Sequence, residues 1–133
     1  MIIAVDFDGT VVDHRYPEIG PEAPFAVDTL LFLVNQKHKI ILFTMRSGTP
    51  LTEAVNWFLE RRIPLWGVQF NPDQARWSAS NKCYAELYID DAAFGCPLIK
   101  PEGFHRYCVD WRLVRESLMP DLNTHGWPEG SNG

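Results

Sequence analysis

The sequence predicts an α/β protein with an open, mainly parallel, Rossmann-like sheet and helices on both faces. Short, continuously apolar runs alternate with segments of helical periodicity, and Gly, Pro and Asn separate them. Continuous apolar strands are typical of parallel sheets that are covered on both faces. The length of 133 residues and the apolar content of 46% suffice for one domain with its own core.

Five apolar runs predict the strands of this sheet. They are residues 2–7, 40–43, 66–70, 87–89 and a short fifth run at 97–100. The first run begins directly after Met1 and ends among acidic residues. Each run is bounded by turn residues or by a helical pattern, as expected for buried strands.

Three segments predict helices. In residues 25–37 the apolar positions Val27, Leu30, Leu31 and Val34 recur at the spacing of one helical face. Thr49 and Pro50 predict the start of a second helix, because a capping hydroxyl and a first-turn proline favour helix initiation. Residues 108–118 are the third helical segment.

These elements predict a single domain over residues 1–118. Residues 119–133 are rich in Pro, Gly and Asn and are expected to form a flexible tail. Trp127 is the exception in that tail, as a side chain that could dock onto the domain or onto a partner.

The composition excludes several classes of protein. The net charge of −5 argues against a nucleic-acid partner, which usually requires a basic surface. The three cysteines have neither zinc-site spacing nor an even count for disulfides. No apolar run is long enough to span a membrane, and no signal-peptide pattern opens the chain. We therefore expect a soluble, cytoplasmic protein without a membrane partner.

Polar residues follow three of the predicted strands. Asp6-Phe7-Asp8-Gly9-Thr10 follows the first, Thr44-Met45-Arg46 the second, and Asp90-Asp91 the fourth. Ligands of open parallel sheets bind beyond the carboxyl ends of the strands. These residues are therefore expected to converge into one site.

The residue types at this site suit magnesium and phosphate. Clustered carboxylates repel one another unless a cation lies between them, and Mg²⁺ prefers carboxylate and phosphate oxygens. Thr44 could donate a hydrogen bond to a phosphoryl oxygen, Lys82 could supply a fixed positive charge, and Arg46 is a candidate clamp for the substrate. The backbone N–H groups that follow Gly9 could also bind phosphate oxygens. Asp6 and Asp8 lie on one face of an extended segment, where different surroundings can give them different protonation states.

The run Asp6-Phe7-Asp8-Gly9-Thr10 resembles the first motif, D-x-D-G-T, of the haloacid dehalogenase-like superfamily. Thr44 resembles its second motif, Lys82 its third and Asp90-Asp91 its fourth, so the resemblance covers roughly residues 1–100. It implies an aspartyl-phosphate intermediate on Asp6, with Mg²⁺ as the cofactor.

The resemblance also implies a role for each motif residue. Asp8 would protonate the leaving group and then activate water, and its backbone carbonyl would reach the metal. Thr44 and Lys82, together with the Gly9-Thr10 turn, would hold the phosphoryl group. Asp6 and Asp90 would bind the metal, and Asp91 would be a further ligand or a support outside the ligand shell. An acid at position 8 is typical of the phosphatases and mutases of the superfamily.

The segments between the motifs are too short for the cap domain that this superfamily usually inserts. About thirty residues separate Thr10 from Ile40, and the predicted helix takes most of them. Residues 11–24, with His14, Arg15 and Tyr16, are expected to form a short flap over an uncapped site. A macromolecular substrate or a neighbouring subunit could then exclude water from it.

The sequence leaves several functions open. A phosphatase acting on a small or macromolecular phosphomonoester is the principal hypothesis, and a phosphomutase is an alternative within the enzymes. A receiver-like signalling domain also combines Asp, Mg²⁺, Thr and Lys, but it is phosphorylated on an Asp after the third strand. Residues 70–73, Phe-Asn-Pro-Asp, match that position poorly. A non-catalytic phosphate-binding protein is the remaining alternative.

Overall fold

The computed structural model describes residues 1–123, with side chains through residue 119, and comprises eight strands and three α-helices in that part of the chain. The strands are β1 (Ile2–Val5), β2 (Val12–Arg15), β3 (Glu18–Glu22), β4 (Lys39–Leu42), β5 (Gly67–Val68), β6 (Leu87–Ile89), β7 (Leu98–Ile99) and β8 (Cys108–Val109). The helices are α1 (Ala26–Asn35), α2 (Gly48–Glu60) and α3 (Trp111–Asn123). The predicted tail, with Trp127, lies outside the described residues from 124 onward.

A four-stranded parallel sheet forms the centre of the molecule, in the order β5-β4-β1-β6. This confirms the predicted parallel α/β architecture. Its inner strand β1 is buried through Ile3, Ala4 and Val5, and the core continues from it into α1 and α2. Within residues 1–123, none of the helices combines the length and apolar character that crossing a bilayer requires.

Strand register decides which residues meet at the carboxyl edge of this sheet. Val5 pairs with Leu42 on one side and with Ile89 on the other. The next residue of each strand therefore emerges at the same level, and the Asp6 amide still donates to the Ile89 carbonyl at 3.0 Å. The polar residues that follow β1, β4 and β6 are thus neighbours in space.

The first strand is shorter than its apolar run, which predicted residues 2–7. After Asp6 the chain folds around the Phe7 carbonyl, which accepts hydrogen bonds from Thr10 and Val11. The Phe7 ring remains fully buried and packs edge-on against Trp57 of α2 at a centroid distance of 5.6 Å. Phe7 therefore anchors the loop that carries both aspartates of the first motif.

The helices begin at different residues from those predicted. Phe25 precedes α1 with φ 67°, so the helix starts at Ala26 rather than at residue 25. Helix α2 starts at Gly48 after an extended Ser47, which places Thr49 inside the helix instead of at its cap. Pro50 remains within the first turn, where its missing N–H has no helical partner to lose.

The segment after β6 differs most from its prediction. Residues 97–100 do not add a parallel strand; β7 pairs antiparallel with β8 in a separate two-stranded sheet. The third helix consequently starts at Trp111 instead of residue 108. Asp110 caps it, because its Oδ1 accepts from the amides of Arg112 and Leu113 at 3.1 and 3.2 Å. The helix extends five residues beyond the predicted domain boundary at 118.

The predicted flap is an antiparallel hairpin of β2 and β3. Gly20 lies so close to the opposite strand that a Cβ there would be 2.4 Å from the Asp13 carbonyl oxygen. The hairpin is fastened at its base, where the Ala23 amide donates to the Val11 carbonyl at 2.9 Å. The hairpin is therefore an ordered structure that forms a wall beside the carboxyl edge of the sheet.

Candidate active site

Three carboxylates meet at the carboxyl edge of the central sheet. Asp6 follows β1, and Asp90 and Asp91 follow β6; one oxygen from each lies within 4.8 Å of the others. The sequence predicted that these residues converge, and the structure brings them together. All three ligand atoms are hard oxygens, which fit a divalent cation such as Mg²⁺. This triad could hold a metal ion.

Thr10 lies between the carboxylates and orients them. Its Oγ1 is 3.3 Å from Asp6 Oδ2 and 3.2 Å from Asp91 Oδ1, and it accepts a hydrogen bond from the Asp91 amide at 3.2 Å. Thr10 is fully buried, and its carbonyl accepts from Trp111 Nε1 at 2.8 Å. Thr10, predicted as part of a phosphate-binding turn, thus directs its hydroxyl at the acidic triad.

Burial and the mutual repulsion of the carboxylates raise the pKa values of Asp6 and Asp91. Removal from water, together with the negative charges of Asp90 and Asp91, raises the pKa of Asp6 to about 8, against the lowering effect of the Phe7 backbone N–H. Burial likewise raises the pKa of Asp91. A bound divalent cation would relieve both effects, because it stabilises the ionised carboxylates.

The raised pKa of Asp6 predicts a pH-dependent stability in the presence of a chelator. Between the ordinary value of 3.8 and about 8, the folded chain retains a proton that the unfolded chain has lost. The free energy of unfolding should therefore fall as pH rises through this window, by several kcal/mol from Asp6, since each pH unit between the two pKa values corresponds to about 1.4 kcal/mol. Urea unfolding of wild type and Asp6→Asn at pH 5 and pH 8 measures it. We expect the variant to lose less stability over this interval than wild type, and identical losses would contradict the assignment.

Gly9 allows Asp91 to approach the first loop. Its φ is +81°, and a Cβ at this position would lie 2.5 Å from Asp91 Oδ2. The Gly9 amide donates to the Val12 carbonyl at 2.8 Å, so this N–H, a predicted phosphate donor, is used within the loop. Glycine is required here both for the backbone conformation and for the space.

Replacing Gly9 by alanine should therefore weaken metal binding. The added methyl group displaces the Asp91 carboxylate from Thr10, and we expect the affinity for Mg²⁺ to fall about tenfold or more. Gly95→Ala is the matched control, because Gly95 has a similar φ of +86° and no atom within 4 Å of the added Cβ. Calorimetric titration with Mg²⁺ measures both variants. Equal affinities in the two variants would contradict this role of Gly9.

Asp8 and Arg46 form a buried, two-pronged ion pair. Arg46 Nε donates to Asp8 Oδ2 at 2.7 Å and Nη2 donates to Oδ1 at 2.8 Å. The side chain of Arg46 is 1% exposed and that of Asp8 is 11% exposed. The geometry fixes the orientation of the Asp8 carboxylate at the wall of the site.

The remaining donors of Arg46 connect the site to two further elements. Nη2 also donates to the Glu18 carbonyl of the hairpin at 3.1 Å, and Nη1 donates to the Pro50 carbonyl of α2 at 3.2 Å. The guanidinium lies 5.0 Å from the ring centroids of both Phe7 and Tyr16. Arg46 thus binds protein groups through all three nitrogens, and its predicted contact with phosphate stays a prediction.

Thr44 lies at the edge of the site, held by a side chain from beyond β5. Gln69 accepts from the Thr44 amide at 2.8 Å and donates to the Thr44 carbonyl at 2.6 Å. Thr44 Oγ1 accepts from the Arg46 amide at 3.2 Å, which leaves the hydroxyl hydrogen available to a ligand. Gln69 has φ 70°, and its role depends on a contact across 25 residues that no local pattern indicates.

The structure does not bring Lys82 to the site. Its side chain is exposed, and its ammonium lies 5.6 Å from the centroid of the Tyr88 ring. The predicted phosphate contact of Lys82 therefore remains a prediction.

The site opens into a cavity of about 620 Å³, a volume typical of small-molecule pockets. Its lining includes the acidic residues, Thr44 and Arg46, and adds residues from the hairpin and the β7–β8 loop. The full lining is Asp6, Asp8, His14, Tyr16, Phe43, Thr44, Met45, Arg46, Asp90, Asp91, Ala92 and Arg106. Sequence reasoning missed Arg106, because the segment that carries it was predicted between two unrelated elements.

Comparisons with known proteins give one informative relationship. No protein-family model matches the chain, and no curated protein matches it. A solved structure of a conserved protein from Bacteroides thetaiotaomicron matches with a TM-score of 0.72 and 38% sequence identity over 91% of each chain. At this identity and coverage the two proteins share more than a fold. The chain belongs to the same family as this conserved Bacteroides protein.

Proposed function

We propose that this protein is a Mg²⁺-dependent phosphatase that hydrolyses a phosphomonoester through an aspartyl-phosphate intermediate on Asp6. The observation that carries the proposal is the position of the Asp6 carboxylate. It is grouped with Asp90 and Asp91 at a cavity that Asp8 and Thr44 also line. These residues match the first, second and fourth haloacid dehalogenase-like motifs, whereas Lys82, the match to the third, is outside the described lining of the cavity.

The acidic triad supports a metal-assisted reaction. Asp6, Asp90 and Asp91 would hold Mg²⁺, which supplies charge neutralisation to the carboxylates and the incoming phosphate. Thr10 keeps the Asp6 and Asp91 carboxylates in position through its hydroxyl. Thr44 can donate its free hydroxyl hydrogen to a phosphoryl oxygen.

In the first step, an Asp6 oxygen attacks the phosphorus atom and the bond from phosphorus to the leaving oxygen breaks. Asp8 gives a proton to that oxygen, which departs as an alcohol or phenol. Arg46 takes one lone-pair direction on each Asp8 oxygen, and the other directions remain for the proton. The pair thus holds the Asp8 carboxyl group in a defined orientation.

In the second step, Asp8 accepts a proton from water as the water oxygen attacks the phosphorus atom. The bond between phosphorus and Asp6 breaks, which releases inorganic phosphate and regenerates the carboxylate. The fixed carboxylate of Asp8 suits this base role because it needs no reorientation between the two steps. The same residue therefore serves both proton transfers.

The residue that follows β5, which is the third of the predicted strands, favours a hydrolase over a receiver-like domain. Gln69 follows β5 and is bonded to Thr44, whereas the nearest acid, Asp73, is half exposed and pairs with Arg76 at 3.4 Å. Asp73 is outside the lining of the cavity within the described residues. An acceptor Asp after the third strand, which a receiver needs, has no counterpart at this position.

Turnover of an aryl phosphate tests the proposal. We expect purified protein to release phosphate from 4-nitrophenyl phosphate with Mg²⁺ and to lose this activity in the presence of a chelator. Restoring Mg²⁺ should restore the rate. Metal-independent turnover, or no turnover across a panel of sugar, nucleotide and amino-acid phosphomonoesters, would contradict it.

A further inference from the structure

A buried carboxylate of the hairpin fastens the loop between β7 and β8. Asp13 is fully buried, and its carboxylate accepts from the amides of His105 at 2.7 Å and Arg106 at 3.3 Å. Arg15 donates to the same carboxylate at 2.9 Å and to the Gly103 carbonyl at 2.9 Å. A fully buried carboxylate is costly unless it is paired, and here each partner restrains this loop or the hairpin.

Because Asp13 holds the backbone amides of His105 and Arg106, Arg106 is fixed at the cavity. Arg106 is an exposed residue, and its guanidinium makes no hydrogen bond or ion pair with any of the described residues. The other guanidinium at the cavity, that of Arg46, is used by Asp8 and by two carbonyls. Arg106 is therefore the arginine of the described lining that remains available to a ligand.

Different elements position Arg106 and the reacting phosphoryl group. That group must contact Asp6, which emerges directly from the central sheet beside Asp90. Arg106 is instead carried by the β7–β8 loop, which Asp13 holds against the hairpin, and it lines this wall of the cavity with His14 and Tyr16. A cavity of about 620 Å³ also holds much more than a phosphoryl group, so part of the leaving group is expected to stay in contact with this wall.

We propose that Arg106 binds a second anionic group, a carboxylate or a phosphate, on the leaving group of the substrate. This inference rests on the proposed phosphatase function. A guanidinium forms charge-assisted, two-pronged bonds with either anion. Tyr16, Phe43 and Met45 are 52%, 37% and 97% exposed and line the same cavity, so they offer apolar surface to the body of that leaving group.

Paired aryl phosphates test this specificity. The substrates are 4-carboxyphenyl phosphate, the bisphosphate of benzene-1,4-diol, and the neutral 4-carbamoylphenyl phosphate, each with wild type and Arg106→Gln. We expect wild type to favour at least one anionic substrate over the neutral amide by about tenfold or more in kcat/KM. In Arg106→Gln that ratio should fall to the value set by leaving-group chemistry alone, and the anion preferred by wild type distinguishes carboxylate from phosphate.

Lys100→Gln is the matched control. It removes one positive charge from an exposed residue near β7 that does not line the cavity, and the preference should survive. The proposal is overturned if wild type prefers neither anion. It is also overturned if Arg106→Gln leaves the ratio unchanged, or if Lys100→Gln abolishes it as well.

Direct binding distinguishes this inference from the proposed function. If wild type turns over neither aryl phosphates nor the panel of sugar, nucleotide and amino-acid phosphomonoesters, the phosphatase proposal fails. Calorimetry with Mg²⁺ then compares 4-carboxybenzylphosphonate with 4-carbamoylbenzylphosphonate. Tighter binding of the carboxylate that Arg106→Gln removes supports the role of Arg106, and equal binding of the two compounds by wild type overturns it.

Discussion

Replacing Asp6 by asparagine is expected to lower kcat for aryl phosphate hydrolysis by at least about a thousandfold. The amide retains the shape of the side chain but is a poor nucleophile, so the covalent intermediate cannot form. It also removes one of the three carboxylates that converge within 4.8 Å, which should weaken Mg²⁺ binding at the same time. Raising the Mg²⁺ concentration to saturation separates the two effects, because only the metal-binding defect can be overcome.

Asp73→Asn is the control for this substitution. Asp73 undergoes the same chemical change, but its side chain is 51% exposed and it lies outside the cavity lining. We expect its kcat to stay within about twofold of wild type. Retention of wild-type turnover by Asp6→Asn at saturating Mg²⁺ would show that another group attacks the phosphorus atom.

Replacing Arg46 by methionine is expected to lower the free energy of unfolding by about 3–5 kcal/mol. The substitution leaves the Asp8 carboxylate, only 11% exposed, without its charged partner. It also removes donors from the Glu18 and Pro50 carbonyls, which lie on the hairpin and on α2. One side chain thus connects the first motif, the hairpin and a helix. Urea unfolding with and without Mg²⁺ measures the loss.

Arg76→Met is the matched control, because Arg76 forms an exposed ion pair with Asp73. With side chains 76% and 51% exposed, this pair should contribute no more than about 1 kcal/mol. Asp8→Asn combined with Arg46→Met should cost less than the sum of the single changes, since neither charge is left unpaired. Equal losses for Arg46→Met and Arg76→Met would contradict the structural role of the buried pair.

The alternation of apolar runs and helical periodicity suffices to predict the parallel sheet. The continuous apolar runs predict that residues such as Ile3 and Val5, or Ile40 and Leu42, are buried, and the structure buries them. Strand direction then places Asp6, Asp90 and Thr44 at one edge, since parallel strands end together. These features depend on local pattern and on a general rule of sheet geometry, so they can be inferred without coordinates.

The pattern was less informative where the partner lies far along the chain. Residues 97–100 have the apolar character of a strand, but their composition does not specify a neighbour. Pairing with Cys108 and Val109 converts a predicted parallel strand and helix start into a small antiparallel sheet. That change also brings the loop with Arg106 to the cavity.

The sequence by itself determined the α/β class and the convergence of Asp6, Asp90 and Asp91, because the apolar pattern is local and parallel strands end at the same edge of a sheet. Only the tertiary structure decided how the charged side chains are used. Asp8 pairs with Arg46 across 38 residues, Asp13 holds the backbone of Arg106 across 93, and Lys82 faces Tyr88 outside the cavity. A buried charge is stable only where a partner is within hydrogen-bonding distance, and that distance is set by the packing of separate elements rather than by their spacing in the chain.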